Sequence, residues 1–125
     1  MGDRAQVLIF EEYYENGELS YFDKPIHLYT HWGGYNIENT LANALKRGKS
    51  RWSDPSYLIR IIISEFVKGD IEGETGIGIS RNYQDSSTAT DIELYAGYSG
   101  DKQRVETPDG AEHTYEEFVN LYAAL

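Results

Sequence analysis

The chain has 125 residues, the size of one domain, with 40% hydrophobic and 26% charged side chains and a formal net charge of −10. The absence of cysteine excludes a disulfide framework, thiolate metal sites and a cysteine nucleophile. The acidity argues against direct nucleic-acid binding and against a charged membrane surface, and no apolar run approaches the roughly 20 residues that span a bilayer.

Val7-Leu8-Ile9-Phe10 is a short apolar run of strand type. Asn16-Gly17 behind it is a hairpin turn signal. The returning stretch runs from Leu19 to Trp32, and Pro25 marks a bulge or an edge in its first part. Gly33-Gly34 ends it. Ile37, Leu41, Ala44 and Leu45 recur at helical spacing, with Asn36 as cap and Gly48 at the end. A second helix opens at Asp54-Pro55 and is apolar around most of its circumference up to Val67, which predicts a central helix. Strands are predicted at Thr75–Ser80, at Asp91–Tyr98 and at Lys102–Glu106, with a polar loop from Asn82 to Thr90. Thr114-Tyr115-Glu116-Glu117 is a capping box that opens a terminal helix. The order β-β-α-α-β-β-β-α predicts a single α+β domain with a mixed, mostly antiparallel sheet and three helices.

Charge divides the chain unevenly: residues 1–69 are net −1 and residues 70–125 are net −9. Lys46, Arg47, Lys49 and Arg51 form a local cationic run with no acid between Glu38 and Asp54. That run suits either a helix C-terminus or an anion.

Catalytic motifs fail on spacing. Arg47-Gly48-Lys49-Ser50 ends like a phosphate-binding loop, but Asn43 stands where its first glycine belongs, and the segment closes a helix instead of opening one. The glycines from Gly73 to Gly78 break the dinucleotide spacing at Arg81. His27 and His31 lie roughly 13 Å apart along a strand, too far for one metal ion. No cofactor and no metal are expected. The carboxylate to watch is Glu74, and a small hydrolase or phosphodiesterase reading would use His31 with Glu74 or Asp54.

The stronger constellation is one of binding. His31, Trp32 and Tyr35 follow a strand beside two glycines, and Arg47, Arg51, Trp52 and Arg60 add guanidinium and indole groups. Stacking rings and planar cations suit a nucleotide or a small anionic ligand. The expected function is therefore a non-catalytic binding protein that sequesters such a ligand in a Trp/Tyr/Arg-lined pocket. The alternative is an acidic protein that inhibits a partner by imitating nucleic acid, resting on the −9 of residues 70–125. Eleven tyrosines fit a protein-binding surface, and the tyrosine-rich hairpin offers an edge, so a homodimer is expected.

Gly2-Asp3-Arg4-Ala5, Leu28-Tyr29-Thr30-His31-Trp32-Gly33-Gly34, Arg51-Trp52, Asp54-Pro55, Tyr57-Leu58, Arg60-Ile61-Ile62 and Gly73-Glu74-Thr75-Gly76 with Gly78-Ile79 form a set. In these residues the chain resembles a group of small bacterial and phage proteins. The resemblance covers about the first 80 residues and brings no established activity or cofactor with it. Tyr13 to Lys24 departs from the pattern as a hairpin insertion, and so does the tail after Arg81. It implies a phage or mobile-element setting. The start, Met1-Gly2-Asp3-Arg4, lacks a signal-peptide layout, so a cytoplasmic location is expected.

Overall fold

Asn16 and Gly17 both take positive φ, 53° and 82°, the geometry of a tight hairpin turn. They join β1 (Ala5–Glu15) to β2 (Glu18–Tyr21), with Glu15 opposite Glu18. The computed structural model describes residues 5–21, 24–30, 36–68, 71–73, 76–81 and 90–123. After Pro25 the chain continues as β3 (Ile26–Thr30), antiparallel to the first half of β1. Between the pairs Glu12↔Tyr21 and Ile9↔Ile26, β1 advances three positions and the returning chain five. The register shift falls where Pro25, which has no N–H to donate, predicts an interruption.

Two helices follow, α1 (Ile37–Arg47) and α2 (Pro55–Val67), joined by a short 3-10 turn at Lys49–Arg51. Then come β4 (Ile77–Ser80), β5 (Thr90–Ala96), β6 (Arg104–Glu106), β7 (Glu112–His113) and α3 (Tyr115–Tyr122). The fold is α+β with the element order that the sequence predicts, β2 and β3 forming the second extended stretch and β7 a two-residue addition. The sheet runs β4-β3-β1-β5-β6-β7, with β2 paired to β1. Among the described residues only β1 and β5 are parallel; the other pairs are antiparallel.

Register decides which side chains reach the core. Val7 lies opposite Leu28 and Ile92, Ile9 opposite Leu94, and Leu94 opposite Val105. This face joins Leu41 and Leu45 of α1, Leu58 and Ile62 of α2 and Phe118 of α3 in one buried cluster. Each fully buried side chain of this size contributes about 1.5–3 kcal/mol. The opposite face carries Gln6 and His27, and also Phe10, Tyr95 and Arg104, which lie in register across β1, β5 and β6.

The helices differ in detail from their sequence signals. The buried residues of α2 are Pro55, Leu58, Ile59, Ile62 and Glu65, a single stripe, while Tyr57 is 56% exposed. The apolar circumference is therefore only partly covered. It is α1 that packs extensively against both α2 and α3, and small Ala42 and Ala44 are buried within it. Gly48 follows α1 with φ −92°, outside the left-handed region. Its requirement is one of space: a Cβ there would lie 3.1 Å from Leu58 Cδ1 and 3.2 Å from the Ala44 carbonyl. Asn36 and Asp54 precede their helices without side-chain capping bonds. Thr114 makes the full capping box: Glu117 N–H donates to its Oγ1 at 3.1 Å, and Thr114 N–H donates to Glu117 Oε1 at 2.8 Å. Among the described residues no helix is long and apolar enough to cross a membrane.

Candidate functional site

The start of α1 and the end of α2 meet beside the end of β3 and the start of β4. They enclose a cleft of about 400 Å³. Helical spacing places Asn36, Thr40 and Asn43 along one side of α1, which lines one wall. Glu65, Phe66 and Lys68 line the second wall, and Thr30 and Ile77 close the sheet side. The lining is mainly amide, hydroxyl and charged, with apolar surface from Phe66 and Ile77.

Glu65 organises the charges here. It sits on the buried stripe of α2, three residues after Ile62, and its side chain is only 6% exposed. A carboxylate so placed needs partners. Lys68 Nζ lies 2.7 Å from Oε2, and Arg47 Nε donates to Oε1 at 3.0 Å. The Arg47 guanidinium also donates through Nη2 to the Ile61 carbonyl at 3.0 Å and to Ser64 Oγ at 2.5 Å. Burial is the largest influence on the Glu65 carboxyl and pushes it up. The hydrogen bonds and charges of Lys68 and Arg47 together outweigh it, so its pKa lies below the ordinary glutamate value. Two cations thus face one carboxylate, leaving a local excess of one positive charge. Both cations keep contact with water, Arg47 at 48% and Lys68 at 67% exposure.

The residues singled out in the sequence divide into three groups. His31, Trp32, Tyr35 and Glu74 lie outside the described residues. In the chain, positions 31–35 join Thr30 to Asn36, and both of those line the cleft. Arg47 does not itself line the cleft but pairs with Glu65, which does. Arg51, Trp52 and Arg60 are not brought to it. Arg51 pairs with Asp54 at 3.6 Å and lies over the Tyr57 ring at 5.3 Å. Trp52 donates its indole N–H to the Leu45 carbonyl at 2.8 Å and meets the Tyr115 ring edge-on at 5.4 Å. The Lys49 ammonium lies 5.7 Å from the Trp52 ring centre. Arg60 is exposed on α2. Trp52 and Asn36 are separated by all 11 residues of α1, about 16 Å of helical rise.

As cleft residues, Glu65, Lys68, Asn36, Thr40 and Asn43 are not marked out by the sequence. One signal was available: Glu65 interrupts the apolar stripe of α2, with Lys68 one turn further on. A buried acid on a core stripe demands cations nearby.

His27 occupies the other sheet face. It is 3% exposed, and its Nδ1 stands 3.1 Å from Gln6 Oε1, so that nitrogen carries the proton. Burial lowers its pKa, against the opposing charge of Asp91. Among the described residues no group of three His, Asp or Glu side chains is placed to hold a metal ion. No family model, curated protein or solved structure matches the chain.

Proposed function

We propose that this protein is a non-catalytic binding protein that holds a small anionic ligand in the cleft beside Glu65. The observation that carries this reading is the charge arrangement: a buried carboxylate that lines an open polar cleft, paired with two cations of which Lys68 also lines it. Lys68 supplies a mobile ammonium to the ligand's negative group. The amides of Asn36 and Asn43 and the hydroxyls of Thr30 and Thr40 supply hydrogen bonds that select polar groups. Phe66 offers an apolar surface on which a planar ring packs. A nucleotide meets all three requirements, and so does a smaller carboxylate or phosphate ester.

The test is thermal unfolding against nucleotides, phosphate and small carboxylates. A ligand present at about 100 times its Kd stabilises the folded state by about 2.7 kcal/mol. Lys68→Ala is expected to remove that gain, and Arg51→Ala to keep it, since Arg51 faces Asp54 and Tyr57. A wild-type chain that no anion stabilises, or an equal loss in both variants, sinks this reading.

One observation favours a second reading, an acidic interaction protein. On the sheet face away from the helix core, the Arg104 guanidinium lies 3.7 Å above the Tyr95 ring and pairs with Glu106 and Glu112 at 3.4 and 3.1 Å. Tyr95 donates to Glu93 at 2.8 Å and stacks on Phe10. Carboxylates here outnumber the one guanidinium, as in the acidic tail generally. A basic protein partner bound by this face would be released by rising salt. Capture that is indifferent to ionic strength would speak against it.

A further inference from the structure

We propose that two copies of this chain join edge to edge through β4, in register about Gly78. The proposal is independent of what the cleft holds.

Among the described residues the sheet ends at β4 on one side and β7 on the other. β7 has two residues and carries Glu112, and the outer strand β2 begins with Glu18. Short length and charge are the usual protections of a sheet edge. β4 has neither charge nor proline: it reads Ile77-Gly78-Ile79-Ser80, and among the described residues the one strand it pairs with is β3. Ile79 is 53% exposed although it lies opposite buried Leu28. Gly78 is exposed, with open space where a Cβ would stand and no left-handed φ to require glycine.

The occupant follows from symmetry and charge. Ile-Gly-Ile reads the same from either end. Antiparallel pairing about a two-fold axis at Gly78 sets Gly78 beside the partner's Gly78 and Ile77 beside the partner's Ile79. Opposed residues point to one face, so the four isoleucines form a single apolar strip and the helices of both copies lie on the same side. Two chains of charge −10 repel. The β4 strip is uncharged and is where such chains can touch without opposing like charges. Ile77 also lines the cleft, so the partner's Ile79 becomes a neighbour of its sheet-side wall.

The test uses the whole chain. Light scattering is expected to give twice the 14.3 kDa chain mass, with the dimer strengthened by salt. Ile79→Lys, which places a charge on the edge, is expected to give the single mass while keeping the wild-type circular dichroism. Because the chain lacks cysteine, Gly78→Cys provides one thiol. Under mild oxidation it is expected to link two chains far faster than Ser56→Cys, at an exposed position on α2. The cross-link decides the matter even where Ile79→Lys fails to fold. A wild-type chain that stays single at its highest soluble concentration overturns the proposal. So does a dimer that survives Ile79→Lys, equal linking by the two cysteine variants, or an unrelated extended peptide taken up on β4 by a single chain.

Discussion

The two ends of the α1–α2 pair solve opposite problems. At the connection between the helices, Trp52 spends its N–H on the Leu45 carbonyl and its edge on Tyr115, whose hydroxyl donates to the Tyr95 carbonyl at 2.6 Å. Gln103 binds across to Ser53 and to the Gly97 carbonyl. Aromatic rings and polar groups are there committed to one another. At the far end, Asn36, Thr40 and Lys68 face an open cleft, and charge is gathered on Glu65. Aromatic and guanidinium side chains are thus weak guides to a binding site when they sit at a turn between helices, where they have structural work to do. Amides and hydroxyls around a paired acid line the open cleft instead.

The largest expected effect lies at the committed end. Tyr115 is 2% exposed, and Tyr115→Ala should lower stability by about 3–5 kcal/mol, the range for losing a buried aromatic ring, in urea unfolding. A loss below about 1 kcal/mol would break the comparison, since surface changes have that size. Trp52→Phe keeps most of the ring and removes the hydrogen bond to Leu45. It should lower stability by about 1–2 kcal/mol and leave any ligand-induced stabilisation unchanged.

At the open end, Glu65→Gln should lower stability by about 1 kcal/mol at neutral pH, because both cationic partners, 48% and 67% exposed, are screened by water. The same change frees both cations and should tighten anion binding. The pH dependence has a fixed sign. The folded-state pKa of Glu65 is depressed, so its contribution is fully present above the ordinary value of 4.5 and is lost as pH falls through the lower folded value. Acid unfolding of wild type and Glu65→Gln should therefore converge at low pH. Curves that stay parallel would mean that Glu65 owes little to its cations. The smallest effect is expected from Arg60→Ala. Exposed on α2, it should change stability by less than about 0.5 kcal/mol and leave ligand response intact, as read by thermal shift.

Much of the fold was legible because its signals are local. Asn16-Gly17, the Pro25 interruption and the Thr114 capping box each depend on residues within a few positions, and each is present. The asparagine before α1 and the aspartate before α2 were less informative, since neither side chain caps its helix. Gly48 does follow α1, but what calls for glycine there is the closeness of Leu58 and not a left-handed turn. Of the ion pair beside the proposed site, Arg47 stands out in the sequence through its cationic run, but its partner does not. Glu65 lies 18 positions away, and only the packing of α1 on α2 brings the two together.

By itself the sequence determined the elements, their order and the excess of acid in the second half, because periodicity, turn chemistry and composition are properties of neighbouring residues. The tertiary structure alone decided that Glu65 is buried between two cations, that Trp52 faces a carbonyl and a ring, and that β4 lies at the rim of the sheet. Those facts depend on which helix crosses which and in what order strands pair, and the free energy of such contacts resides between segments distant in the chain.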